Sequence, residues 1–457
     1  MKKVKRLDEK KAAVIASVLC VLVPLQMVSQ TWDDHDRSGR YTCRDFGQNY
    51  LNSLQEEGNP IIYTNGDNDT FPLWYNQEVE EFRTDVRVCN LQYLQTDWYI
   101  DQMRRPAYRS PSVPIDWERI DYVAGHNEGL YIRPEIMEAV LNYYKSNPGG
   151  AAREFGENPY EVKNILKYWV RGELGKEYQA IPTDSVVIKI DREAVLRSGM
   201  LVPDSIPEYM SISLKGRRLL YKNEMMMLEM MSNCNWERPI YIATTVGTDM
   251  HLGLTNYFMQ EGLAYRFTPF DNKALGRTLD SERMYDNLMH KFKFGGIDNP
   301  KIYLDETTHR MCDSHRRLFV SLASQLIKEG KNDKALAALN YCERVVPSTT
   351  VRHDYFYSSS KEMADDFAKL NEMEKAVSIY SQLADTSVEY ISWYLSLDDA
   401  RFSSSYENLM RHLYMLDEIC SSLSMMKDAD TNEDIEEFTH YNEKFDQLYA
   451  VFKARVE

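Results

Sequence analysis

Two acidic clusters hold the residues best suited to chemistry. Asp33-Asp34-His35-Asp36-Arg37-Ser38-Gly39-Arg40 follows an apolar run, and Asn65-Gly66-Asp67-Asn68-Asp69 follows the tetrapeptide Ile61-Ile62-Tyr63-Thr64. Carboxylates just past the C-terminal end of a parallel strand sit where α/β proteins bind ligands, so Asp67 and Asp69 are site candidates on geometry. A two-metal phosphoesterase would combine Asp-x-His, Gly-Asp-x-x-Asp and Gly-Asn-His motifs around its ions. Asp33-Asp34-His35 and Gly66-Asp67-Asn68-Asp69 echo the first two, the second at altered spacing. The third is present only as Gly125-His126-Asn127-Glu128. A calcium loop would use Asp34, Asp36, Ser38, Gly39 and Asp45 at positions 1, 3, 5, 6 and 12. There Arg37, Arg40 and Arg44 add positive charge, and position 12 lacks the bidentate Glu. The remaining reading is local: Asp and Asn cap helices and close turns, with Arg37 and Arg40 paired to nearby carboxylates. No catalytic residue, metal site or cofactor is assigned from these clusters.

The elements that would position them can be read from periodicity. Phe46, Tyr50, Leu51 and Leu54 fall at helical spacing, and Gly58 stops the run. Ile61–Thr64 reads as a buried strand, followed by a helix from about Pro72 to Glu81 with proline in its first turn. Val86–Leu91 is a second strand, and Thr96-Asp97 marks the start of a helix through Met103. Strands and helices alternating at this spacing imply parallel strands with right-handed crossovers. Past the Pro-rich stretch Arg104–Trp117 come helices at Ile136–Tyr144 and Tyr160–Val170, a strand at Ser185–Ile190 and a Met-rich core helix at Leu219–Met231. Pro239–Thr244 repeats the pattern of a buried strand ending in Thr, and Ala264–Thr268 closes the sheet as an edge strand. The expected fold is an α/β domain with a small, mostly parallel sheet, then an all-α region.

That all-α region starts at about His315. Phe319, Leu322, Ala323 and Leu326 line one helix and Gly330 turns it; Ala335, Leu339 and Cys342 line the next, and Pro347 ends it. Met363, Ala364 and Phe367, then Ala376, Tyr380 and Leu383, repeat the scheme more loosely. This is tetratricopeptide-like patterning, in which small residues let paired helices approach closely. Its ordinary role is protein contact.

At the other end, the first eleven residues carry six Lys or Arg, and the seventeen residues Ala12–Val28 carry no charge. At about 1.5 Å per residue they just cross a hydrocarbon core. A basic flank stays cytoplasmic, which places the chain after Gln30 on the outer side. Over 457 residues, 43% hydrophobic, 54 basic against 70 acidic residues give a net charge of −16. That balance argues against nucleic acid, which needs clustered cations. The mean hydropathy of −0.52 excludes a multi-pass membrane protein. Seven cysteines without CxxC or zinc spacing read mostly as core residues.

Three long motifs, DDHDRSGRYTCRDFGQNYL, TNGDNDTFPLWYNQEVE and RTDVRVCNLQYLQTDWYIDQM, together resemble the C-terminal, extracytoplasmic part of a bacterial integral-membrane family related to protein O-mannosyltransferases. The resemblance runs from the apolar segment to about residue 270, and the helical tail is similar too. It implies GT-C type glycosyltransferases, in which a membrane bundle binds a lipid-linked sugar donor and an acidic residue of an early outer loop does the chemistry. Here the single apolar segment corresponds to the last helix of such a bundle, and the acidic catalytic loop has no counterpart. The expectation is a fragment or split form. Asp36, Arg37, Asn65, Gly66, Asp67, Asn68, Asp69, Asp97 and Trp98 match the family's motifs and are carried as binding candidates.

The expected organisation is a flank and transmembrane anchor (1–30), an extracytoplasmic α/β domain (31–272), a connector (273–314) and tetratricopeptide-like repeats (315–457). The expected partners are the membrane, through a single anchor, and an acceptor protein or companion membrane domain. The expected place is the bacterial inner membrane, with the bulk of the chain periplasmic. The alternative is a free-standing metal-dependent hydrolase or sugar-binding enzyme using the Asp67/Asp69 loop.

Overall fold

The computed structural model describes residues 9–427 and 433–456. Residues 1–8 of the basic flank and the side chains of Asp33 and Asp34 lie outside that description. The first principal helix, α1 (Glu9–His35), contains a stretch, Lys10–Trp32, long and apolar enough to cross a membrane, and none of it is buried against the protein. It runs seven residues past Val28, because a helix needs only its own backbone hydrogen bonds to continue. Asp33, Asp34 and His35 therefore belong to a helix end and not to the polar turn expected there. The turn begins at Asp36.

α2 (Thr42–Ser53) leads into β1 (Ile61–Thr64), α3 (Asp67–Glu78), β2 (Arg87–Asn90) and α4 (Asp97–Met103). Gly47 sets the contact between α2 and α3: a Cβ there would lie 2.5 Å from the Pro72 carbonyl oxygen. The helix expected from Pro72 starts five residues earlier, so Pro72 is interior to α3 and the Asp67-Asn68-Asp69 segment is its first turn. Acidic residues favour that position through the helix dipole.

Seven further strands, β3 (Gly129–Tyr131), β4 (Ser185–Lys189), β5 (Tyr209–Ser213), β6 (Leu219–Tyr221), β7 (Ile240–Ala243), β8 (Phe258–Gln260) and β9 (Ala264–Phe267), complete the described set. The main sheet has the order β2-β1-β7-β9-β8. β2, β1 and β7 are mutually parallel, whereas β9 pairs antiparallel with β7 and with β8. The sheet is thus mixed, and the expected edge strand at Ala264–Thr268 is internal, with β8 outside it. β4 joins β5 in a separate antiparallel ribbon, as β3 does β6.

β1 and β7 are buried at every position. The same core holds α5 (Lys222–Asn233), whose Met225, Met226, Met227, Met230 and Met231 are at most 1% exposed. The methionine stripe is core. Of the cysteines, Cys20 and Cys43 are exposed and the other five are buried, all as free thiols.

The C-terminal region is helical: α6 (Glu306–Lys328), α7 (Asn332–Val345), α8 (Ser360–Lys369), α9 (Met373–Ser396), α10 (Asp399–Ser424) and α11 (Glu436–Val456). α6 packs on α7 and α8, α8 on α9, and α9 on α10 and α11. Phe319, Leu322, Ala323, Leu326, Ala335, Leu339, Cys342, Met363, Ala364, Phe367, Ala376, Tyr380 and Leu383 are all buried, so the periodicity picked the inward faces. α6 also packs on α2. At that joint His315 touches Phe46, Phe292 and Phe294 edge-on, and its Nε2 lies 3.0 Å from Asn49 Nδ2. Burial pushes the His315 imidazole down to about 3, so it is neutral.

Candidate functional site

β1 is flanked by parallel strands whose connections run to opposite sides, which makes the gap between the carboxyl ends of β1 and β7 a topological switch point. Two loops meet there, Asn65-Gly66 after β1 and Thr244-Thr245 after β7. Asp69 joins them. Its Oδ1 accepts from the Gly66 N–H at 2.9 Å, and its Oδ2 accepts from the Asn65 N–H at 3.2 Å and from Thr245 Oγ1 at 2.8 Å. Since Thr245 donates to Asp69, the Tyr50 hydroxyl, 3.1 Å away, donates to Thr245. On the other flank Thr70 donates to Thr64 Oγ1 at 2.8 Å and accepts from Asn90 Nδ2 at 3.0 Å, tying β1 to β2. Asp69 is only 2% exposed, while Asp67 and Asn68 on the same turn are exposed.

Above this network lies a cleft of about 380 Å³ between the strand ends and α6. Phe46, Asn68 and Thr245 line it from the α/β side, and Arg310, Asp313, Ser314 and Arg317 line it from α6. Burial pushes the Asp313 carboxyl up to about 6, against the opposing pull of Arg316, whose guanidinium is 3.6 Å away. Arg310 pairs with Glu306, and Arg317 donates to Ser314 Oγ at 2.9 Å. The α6 wall thus sets Arg310 and Arg317 beside Asp313 and Ser314, the facing wall offers Asn68 and Thr245, and the cleft suits polar groups.

The motif residues divide into three places. Asn65, Gly66, Asp67, Asn68 and Asp69 surround the strand ends. Asp36 and Arg37 are exposed beyond α1, where Ser38 hydrogen-bonds the Asp36 carboxylate and holds it below its usual range. Arg37 there acts on Asp305, the N-cap of α6. Asp97 and Trp98 open α4, away from the cleft lining: Asp97 pairs with Arg119 at 3.6 Å, and Trp98 packs on Tyr93 and Tyr99. Thr96 occupies the cap position expected of it, but its hydroxyl donates to the Tyr93 carbonyl at 2.7 Å instead of capping α4.

Among the described residues no three His, Cys, Asp or Glu side chains come together as a metal-ion site. Asp45, the twelfth position of the calcium reading, lies in α2, bonded to Arg44 and to the Gly295 N–H. Thr245, Asp313, Arg310 and Arg317 were missed by the motif search. The only local signal was the Thr that ends both buried strands.

Asp69→Ala removes the acceptor of three donors and should cost about 1–3 kcal/mol, read as a lower chemical-denaturation midpoint. Asp67→Ala, at an exposed position, should cost less than about 0.5 kcal/mol. Equal losses would contradict the division of labour within this turn.

An apolar helix, a mixed α/β layer and a helical array on one chain define a modular protein whose first helix is fit to span a membrane. The family model described as TMEM260-associated domain 2 matches residues 43–286. That is more than half of the chain, which belongs to this family. The match ties it to glycosyltransferase-related membrane proteins. No curated protein and no solved structure matches the chain.

Proposed function

We propose that the chain is the membrane-anchored, extracytoplasmic module of a protein O-mannosyltransferase-like glycosyltransferase, which binds the acceptor protein or holds the companion membrane domain and transfers no sugar by itself. One observation carries this reading. Both oxygens of Asp69, the most buried carboxylate of the family-matching loop, already accept hydrogen bonds that join β1 to β7. A carboxylate so engaged positions the loop and is poorly placed to act as a base. The helical array supplies a tetratricopeptide-like surface for protein contact. The GT-C resemblance supplies the enzyme class, with its membrane bundle as the companion. The basic flank before α1 supports a bacterial inner-membrane anchor with the bulk of the chain in the periplasm.

The test is a transfer assay on the purified full-length chain with a polyprenyl-phosphate mannose donor and a periplasmic extract as acceptor. No transfer above the protein-free background is expected; clear turnover overturns the proposal. Protease added to intact spheroplasts should digest the chain back to α1, and protection would overturn the orientation.

A further inference from the structure

A second cavity, of about 400 Å³, opens between the end of β7 and the β8–β9 hairpin, and the family motifs contribute nothing to it. Its walls carry four threonines (Thr244, Thr248, Thr255 and Thr278), two asparagines, Lys273 and Arg277, with Phe258 and Tyr265 as apolar faces. No Asp or Glu lines it, although the chain as a whole carries −16. The carboxylates that act on neighbouring groups are not lining residues: Asp280 acts on Arg277, Asp249 on His251 and Asp271 on Tyr257.

Two groups in this wall are buried and incompletely bonded. Asn272 is 1% exposed, and its side-chain carbonyl oxygen accepts no hydrogen bond. Its orientation follows from the network. Thr268 Oγ1 donates to the Tyr257 carbonyl at 3.0 Å, so it must accept from Asn272 Nδ2 at 2.9 Å, which leaves Oδ1 for the cavity. The Asn272 backbone is fixed as well, through Asn256 O at 2.8 Å and Arg277 N at 2.9 Å. Arg277 Nε is the second group, buried without an acceptor, while Nη2 reaches Leu201 O at 3.4 Å. Native interiors rarely leave such groups unpaired, and each one calls for a partner.

The floor adds no charge. The Val246 carbonyl, 3.2 Å from His251 Nε2, makes that nitrogen the donor, so Nδ1 is left to accept from Thr255 Oγ1 at 3.3 Å. Burial lowers the affinity of this imidazole for a second proton.

A complementary molecule must therefore donate to Asn272 Oδ1, accept from Arg277 Nε, carry negative charge toward Lys273 and Arg277, and exchange hydroxyl bonds with the threonines. The volume is in the range of small-molecule sites. We propose that this cavity binds a small polyhydroxylated anion: a monosaccharide bearing a phosphate or a carboxylate. The site is independent of the acceptor-binding role and stands or falls without it.

Isothermal titration of the detergent-solubilised full chain tests it with four probes: glucose 6-phosphate, glucuronate, glucose and inorganic phosphate. At least one sugar anion should bind saturably and at least about tenfold more tightly than glucose and than phosphate. Asn272→Asp, which sets a negative charge against the anion, and Arg277→Gln should each weaken that binding by about tenfold or more. Thr278→Val, which swaps a wall hydroxyl for a methyl, keeps the test open if Asn272→Asp fails to fold, and it too should weaken binding. Four outcomes overturn the proposal: no saturable binding, glucose or phosphate binding as tightly as the sugar anions, or affinity unchanged in the folded variants. The preferred sugar anion, phosphate or carboxylate, identifies the charged group.

Discussion

Arg316→Met should lower the stability of the chain by about 3–5 kcal/mol, seen as an early loss of helical signal in chemical denaturation. The guanidinium is wholly buried. Nη1 donates to Arg352 O at 3.1 Å, and Nη2 donates to Val346 O at 3.0 Å and Val351 O at 2.6 Å. Those three carbonyls belong to the connection between α7 and α8, so one side chain on α6 holds the crossing between two helix pairs. Methionine keeps the apolar stem but takes the donor from all three carbonyls, and for the buried contacts to Val346 and Val351 the full desolvation cost then appears.

The neighbouring Asp313 adds a pH signature. Burial raises its carboxyl to about 6, from an ordinary value of 3.8. A group harder to ionise in the fold than in the unfolded chain favours the fold most below about pH 4, and that contribution is lost as pH rises through 6. Asp313→Asn should thus melt like the parent near pH 4 and above it from pH 7 upward, by about 1 kcal/mol once solvent screening of this partly exposed group is allowed for. A gap that widens toward acid would contradict the assignment.

Glu261→Leu should cost a similar 3–5 kcal/mol for a different reason. Glu261 and Arg266 are each 1% exposed, with Oε1 and Nη1 3.6 Å apart; Arg283 is 3.5 Å from the same carboxylate, and the Tyr241 hydroxyl donates to it at 2.8 Å. Burial pushes this carboxyl up, and the two guanidiniums offset only part of that rise. Removing the acid takes away the carboxylate that the charges of Arg266 and Arg283 share. The double variant Glu261→Leu with Arg266→Met removes one of those charges as well, and it should recover most of the loss. Denaturation midpoints of the two single variants and the double variant check this; a double variant as unstable as the sum of its parts would show that the charges do not act together.

Periodicity was a good guide where burial is continuous. β1, β2 and β7 are short blocks buried at every position, and the inward faces of α6 to α9 repeat at helical spacing, so all of them were legible. The three-residue strands β3, β6 and β8 were not, because a ladder that short has no alternation to detect. The start of α3 was misplaced since Gly66-Asp67-Asn68-Asp69 reads equally well as a turn or as a first helical turn, and the distinction lies in the Asp69 bonds to Asn65 and Gly66. α1 outran its apolar segment because Thr31 to His35 continue a helix without any core to face. The switch-point cleft was half legible. Asp67 and Asp69 were singled out by their place after a strand, whereas Thr245 and Asp313 come from remote stretches of chain whose local spacing carries no trace of the meeting.

The neutral His315, clasped by rings from α2 and from the segment before α6, joins the α/β layer to the helical array through packed rings and not through a titrating charge.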